Sequence, residues 1–452
     1  MEASWINDKA SRNPRLAFCA VIGTIAITAS VLAFINQKGS VQDPQQQIGF
    51  DPLLPAIRHY LVPPIWIATP RAWQQGEMPR VPSDLQIEAF ATKLARPRSV
   101  FVLPNGDVLA IESAGPAAPI KRPKDLIVGV VLGAAGEFNP AGNRITLIRP
   151  SNNGEPAIRT VFLDHLESPF GVALIGHDLY VANTNAIVRY HYNEGDTHIN
   201  GPGVKLVDLP AGEINHHWTK SLVASPDGSK LYVGVGSNSN IAENGLDAET
   251  GRAAIWEVDR ATGAHRVFGS GLRNPNGLQF EPNTGRLWTV VNERDELGPD
   301  LVPDYLTSVK DGGFYGWPYS YYGQHVDPRV RPQRPDLVAT ALQPDYALSS
   351  HVAPLGLVFV SSPALPADYQ SGAFVGEHGS WDRFPMNGYK VIYVPFKDGR
   401  PTGPAKDVVT GFLSNDNHAR GRPVGLAIDN KGALLIADDL GNTIWRVSAR
   451  GS

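Results

Sequence analysis

From Leu85 to the carboxyl end, short runs of alternating apolar and polar residues are broken every few positions by glycine, proline or aspartate. Such period-two runs predict strands and tight turns rather than helices. Six of the runs open on one phrase: a proline, histidine or asparagine with a small or apolar pair, then a β-run that usually leads through a turn into a second one. The phrases begin at Pro97-Arg98-Ser99, Pro169-Phe170-Gly171, His217-Trp218-Thr219, Asn274-Pro275-Asn276, Ala353-Pro354-Leu355 and Arg422-Pro423-Val424. Their spacing, about 50 to 80 residues, suits propeller blades with loop insertions. The expected fold is all-β, a six-bladed β-propeller over residues 85–452. The last run, Thr443-Ile444-Trp445-Arg446-Val447, is expected to pair with the first, Leu85-Gln86-Ile87, and close the ring. A propeller brings the starts of its innermost strands to one mouth, so the residues heading the six phrases should share a pocket.

The amino-terminal pattern is different. Residues 16–35 (LAFCAVIGTIAITASVLAFI) run 20 positions without a charge, long enough to cross a bilayer as one helix. Lys9, Arg12 and Arg15 precede the run and only Lys38 follows closely. This predicts a cytoplasmic segment 1–15, a transmembrane anchor 16–35 and an exported body, on the periplasmic side of a bacterial inner membrane. A cleaved signal peptide is the rival, which would export the body unanchored; the run is longer than a usual signal core and no small-x-small site closes it. Residues 36–84, rich in glutamine and proline, predict a semi-extended tether and lead-in.

Composition narrows the classes. In 452 residues, 45 glycines and 38 prolines favour many turns over long helices. A net charge of −4 without a basic tract points away from nucleic acid. The single cysteine, Cys19, lies in the apolar run and permits no intrachain disulfide.

The mouth is where chemistry is expected. The phrase heads supply His216, His217, Arg273, Asn274, His351 and Arg422, with Arg420 nearby, and Glu377-His378 follows the fifth strand pair. One histidine at a strand start is ordinarily a turn or core residue; the coincidence over several repeats is what matters. Converging guanidiniums and imidazoles make a receptacle for a small polycarboxylate. The oxygen-rich loop 292–300 suits a hard cation such as calcium, or else is a solvated loop with surface ion pairs. Beyond it, Gly313-Phe314-Tyr315-Gly316-Trp317-Pro318 offers Tyr315 and Trp317 as aromatic faces for a sugar ring or for packing.

Gly271-Leu272-Arg273-Asn274-Pro275-Asn276-Gly277-Leu278, Gly298-Pro299 and Gly313-Phe314-Tyr315-Gly316-Trp317-Pro318 together resemble the glucose/sorbosone dehydrogenase family, six-bladed quinoproteins that use pyrroloquinoline quinone (PQQ). Gly376-Glu377-His378-Gly379-Ser380-Trp381 and Arg422-Pro423-Val424-Gly425 are similar to its sorbosone dehydrogenase-like branch. The resemblance spans residues 85–452. It implies His217 as general base, Arg273 and Asn274 at the reactive quinone carbonyl, and the carbonyls of Gly298 and Pro299 as calcium ligands. It also implies Arg422 on a cofactor carboxylate. Val424 stands where the family carries a second arginine, with Arg420 or His378 expected to compensate; His378 falls near a cofactor-binding lysine of sugar-oxidising relatives.

The expected activity is therefore oxidation of a sugar or aldehyde by hydride transfer to the quinone, with a neutral histidine taking the hydroxyl proton. A membrane quinone or cytochrome is the expected electron acceptor. No nucleotide-binding glycine-rich loop supports a nicotinamide route. Two other classes remain. A calcium-dependent propeller lactonase needs carboxylates and asparagines converging on a metal, whereas the phrase heads offer mainly histidine and arginine. A non-catalytic binding propeller would leave the basic mouth without a purpose.

Overall fold

The structure is a computed structural model that describes residues 22–28, 30–31, 38–41, 43–58, 64–117, 119–120, 123–138, 140–151 and 157–451. Six antiparallel sheets are arranged as propeller blades. Their innermost strands are Pro97–Val102, Gly171–Ile175, Leu222–Ala224, Pro275–Phe280, Pro354–Ser361 and Pro423–Ile428, one for each phrase. The sixth blade is completed by the first strand of the propeller: Leu85–Ala91 pairs antiparallel with Thr443–Ala449, Leu85 opposite Ala449. Both chain ends of the propeller thus sit in one sheet, which removes the free edge that an open ring would leave.

The small residue in each phrase has a steric cause. Neighbouring inner strands meet nearly backbone to backbone around the axis, so a β-carbon on Gly356 would run into the Val424 carbonyl. The inner strands line a central channel of about 450 Å³ that carries no charged side chain. Between blades the cores are apolar, for example Leu109, Ile111, Leu147 and Phe162 of the first blade against Val172, Leu179 and Val181 of the second. Strands alternate direction within a blade, so the starts of first strands and the loops from second to third strands lie on the same side. That side is the mouth.

Two segments depart from the expected pattern. The lead-in, expected as a spacer, is docked along the propeller. Ser40 donates to Asp300, Gln47 is fully buried and bonds the Asp300 and Leu53 carbonyls, and the Arg58 and Trp66 amides donate to the Leu297 and Trp381 carbonyls. Trp73 packs edge-on against Phe412 and Trp445. Extended proline-rich backbone forms no core of its own, yet its remaining amides and tryptophans find partners on the blades. The second departure is an insertion between the second and third strands of the first blade, which carries a helix, α1 (Pro123–Ala134).

The described part of the run 16–35, residues 22–28 and 30–31, is helical. Residues 1–21, with Cys19, lie outside the described residues. No described helix is long and apolar enough to cross a membrane.

One buried group sets a pH dependence of stability. Glu377 ends the second strand of the fifth blade, fully buried, with neither carboxylate oxygen hydrogen-bonded. Burial, opposed by Lys390, pushes its pKa up to about 8. The folded chain therefore keeps this proton at pH values where the unfolded chain has released it. The contribution to stability is complete below the ordinary glutamate range and is lost as pH rises through about 8. Asp304 and Glu293, raised to about 7 by burial, slope the same way. Glu377→Gln is expected to flatten the fall of Tm between pH 6 and 9, measured by calorimetry. An unchanged slope would remove Glu377 from this account.

Candidate active site

Below the mouth the channel is capped by an apolar floor. Phe170, Leu355 and Val424, each the residue after the proline of its phrase, pack together with Trp218. Charged and imidazole groups stand above this floor, at the strand starts and the adjoining loops.

His217 precedes the third inner strand. Its Nδ1 lies 2.9 Å from the Ser237 hydroxyl oxygen and 3.0 Å from the Ser237 carbonyl. The Ser237 hydroxyl itself donates to the Ser239 carbonyl at 2.6 Å, so both oxygens facing the ring are acceptors. Nδ1 must therefore carry the proton, which leaves Nε2 with a free lone pair. Burial, Arg273 and His216 together hold the ring pKa well below the ordinary histidine value. His217 is consequently neutral at physiological pH, as a proton acceptor must be.

Arg273 is buried beside it and fixed on three sides. Its guanidinium donates to Asp295 Oδ2 at 2.8 Å, to Asn240 Oδ1 at 3.0 Å and to the Glu293 carbonyl. Asn274, the next residue, is buried with its side-chain oxygen unpartnered. Asp295 continues the arc, its Oδ1 3.6 Å from His351 Nδ1. His351 sits on left-handed backbone (φ +57°), and its Nε2 donates to the Gly298 carbonyl at 3.0 Å while Nδ1 is 3.5 Å from Asp382. Burial alone would depress this imidazole; Asp382 and Asp295 instead push it up to about 9, so it is a cation at neutral pH.

A second cluster lies across the floor. Arg98 stacks over the Trp218 ring at 5.5 Å and donates to Asp439 at 2.6 Å; its buried Nε has no partner. His378 Nε2 is 3.2 Å from the same carboxylate. Arg422 donates to Glu137 Oε1 at 2.7 Å and to the Ala135 carbonyl at 2.6 Å, and Arg96 pairs with the other Glu137 oxygen. Burial and Asp439 both resist ionisation of Glu137, but Arg96 and Arg422 hold its pKa below the ordinary value. Glu137 arrives on the insertion of the first blade. The leading edge of that insertion passes directly over Trp218, where only the missing side chain of Gly115 avoids the indole.

His217, Arg273, Asn274, His378, Arg422 and the Gly298-Pro299 turn thus lie around one mouth. Arg420 does not join them: it pairs with Glu77 at 2.9 Å and stacks on Trp73, outward of the sixth blade. Tyr315 is buried, its hydroxyl donating to the Ser308 carbonyl at 2.6 Å, and Trp317 donates to the Asn240 carbonyl at 3.0 Å. Both rings are buried, so neither offers a free aromatic face. Val424 belongs to the floor, and Arg98, from another blade, supplies the guanidinium missing there. Arg96, Arg98, Asp439 and Glu137 were not read from the sequence. Arg98 had a signal, since it is the second residue of the first phrase.

The donors suit a polycarboxylate. Arg96, Arg98, Arg422 and His378 converge on the carboxylates of Asp439 and Glu137, and the buried Arg98 Nε still lacks an acceptor. A hard cation is matched in ligand chemistry by the Gly298 and Pro299 carbonyls with Asp295 and Asp382, whose present positive partner is the His351 imidazolium.

A family model described as TrAA12-like matches residues 145–303 and 336–450. A PQQ-dependent sugar dehydrogenase of Hypocrea jecorina is 24% identical over 324 residues, 61% of this chain and 72% of its own length. An uncharacterized protein of Borreliella burgdorferi is 27% identical over 298 residues, 62% of this chain and 76% of its own length. Among solved structures, the holo PQQ domain of pyranose dehydrogenase from Coprinopsis cinerea superposes with a TM-score of 0.67 at 20% identity, covering 85% of this chain and all of that one. With the matched segments spanning more than half of its length and all within the propeller region, the chain belongs to the TrAA12-like family.

Proposed function

We propose that the protein is a PQQ-dependent quinoprotein dehydrogenase that oxidises a sugar or aldehyde of the sorbosone or aldose type, with His217 as general base. The observation that carries this reading is the His217 ring itself. It is held in the Nδ1-protonated tautomer, kept neutral by burial and Arg273, and its free Nε2 stands in a mouth lined with guanidiniums. Family membership and the activity for which the Hypocrea relative is named support the same chemistry. When bound, PQQ supplies an electrophilic quinone that accepts hydride. The protein has the remaining work. His217 Nε2 takes the substrate hydroxyl proton. Arg273, locked by Asp295 and Asn240, presents a fixed positive charge without having to reorganise. Arg96, Arg98 and Arg422, with His378, are the groups to hold cofactor carboxylates. Gly298, Pro299, Asp295 and Asp382 would hold calcium, the ion for which a solved structure of a Trichoderma reesei relative is named.

The test is titration of PQQ into the purified chain with and without calcium, followed by an aldose and aldehyde screen with an artificial electron acceptor. Tight, calcium-dependent binding and dye reduction are expected. A folded chain that neither binds PQQ nor reduces dye sinks the proposal. The lactonase alternative gains little support from the carboxylates present, because Asp295 is already neutralised by Arg273 and His351.

Residues 16–35 are proposed to anchor the chain in an inner membrane, with the propeller on the periplasmic side and a quinone or cytochrome as acceptor. Full-length protein is expected to stay in the membrane pellet after alkaline carbonate washing. Release into the supernatant would contradict the anchor.

A further inference from the structure

We infer that the mouth face of the propeller lies against the bilayer, with α1 as a second, interfacial contact formed with anionic phospholipid. The choice of lipid as occupant rests on the anchor reading of residues 16–35.

Two independent features meet on this face. The first is α1 itself. Five large apolar side chains between residues 120 and 138 are exposed: Ile120, Leu126, Val130, Leu132 and Phe138, from 39% to 70%. Single exposed apolar residues are ordinary on a protein surface, but a helix apolar on most of its circumference belongs in a core or a membrane. In sequence, Lys121, Arg122 and Lys124 flank its start, the arrangement that draws an apolar helix to anionic headgroups. Its position is fixed, because Glu137, three residues beyond its end, is clamped by Arg422 and Arg96 at the mouth.

The second feature is where the apolar run joins the propeller. The Gly39 amide donates to the Phe384 carbonyl at 2.9 Å, and Ser40 is bonded to Asp300. Both partners lie in loops from second to third strands, which are mouth-side loops. Three residues lie between Ile35 and Gly39, and the four chain steps reach at most ~14 Å. The run therefore joins the propeller, through Gly39 and Ser40, on the rim that also carries α1. A helix crossing the bilayer from that point brings this rim, and not the opposite one, to the lipid.

The experiment uses the full chain with Cys19→Ser and one cysteine introduced at Leu126, Val130 or Asn430, the last in a turn on the opposite rim. Each variant is labelled with an environment-sensitive fluorophore and reconstituted into liposomes of phosphatidylethanolamine and phosphatidylglycerol, with or without brominated acyl chains. Flotation and carbonate washing report the anchor separately. Quenching of at least twofold at positions 126 and 130, and none at 430, is expected. Membrane-retained protein without quenching at 126 and 130 overturns the inference and leaves the anchor standing. Carbonate-released protein that still floats and is quenched at 126 and 130 rejects the anchor and keeps the lipid-facing surface. Protein that neither floats nor is quenched rejects both. A spectral shift that grows with protein concentration in detergent assigns α1 to a second copy and overturns the inference too.

Discussion

Replacing His217 with alanine is expected to lower kcat about a thousandfold, within the range a positioned general base contributes. PQQ affinity should change less than about threefold, because the carboxylate-holding groups lie on other blades. The imidazole is hydrogen-bonded through Nδ1 to Ser237, so its loss removes a proton acceptor and only this one local contact. The pH profile gives a second handle. A base must be unprotonated to act, and burial with Arg273 keeps His217 unprotonated well below the ordinary histidine pKa. The acid limb of kcat/KM should accordingly fall below pH 6.5. Arg273→Lys keeps the charge but loses the three-sided fixation, and the limb is then expected to move upward. Full activity in His217→Ala would remove this residue from the chemistry, whatever the cofactor does.

The six inner strands were legible because each begins with a phrase that two constraints dictate together. Period-two apolar residues must face the neighbouring blade, and a small residue must stand where inner strands approach backbone to backbone. The mouth followed from topology, which is why His217, Arg273 and Arg422 could be placed without coordinates. What escaped was whatever left no periodic mark. The lead-in docks through amides such as those of Arg58 and Trp66, and backbone donors have no sequence signature. The insertion of the first blade has neither strand alternation nor a helix cap, so Glu137 looked like any loop acid. Arg98 was passed over because the same place in other phrases holds Phe170, Leu355 and Val424, which form the floor. Tyr315 and Trp317 fitted a sugar platform or packing equally well by type; only the burial of both rings decides for packing.

The guanidinium cluster supports the other large effect. Arg422→Ala is expected to weaken PQQ binding about 30-fold, the scale of losing one partner from a desolvated charge pair. Glu137 makes the inverse experiment informative. Its carboxylate is bonded to Arg422 and Arg96, so an incoming carboxylate must compete with one already tethered there. Glu137→Gln leaves the arginines in place, removes the competitor and should tighten PQQ binding about tenfold. The same change takes the carboxylate partner from the buried Arg422, while Arg96 keeps Asp439 at 3.5 Å. The unliganded variant should thus melt several degrees lower and regain the difference when PQQ is added. In Arg422→Ala/Glu137→Gln, the gain from the glutamine should shrink, because only the Arg96 half of the clamp remains to be freed. Weaker binding in Glu137→Gln alone would mean that Glu137 helps to hold the ligand, and the tethered-competitor account would be wrong. Isothermal titration of PQQ into the wild type and the two variants reads the sign of the change directly.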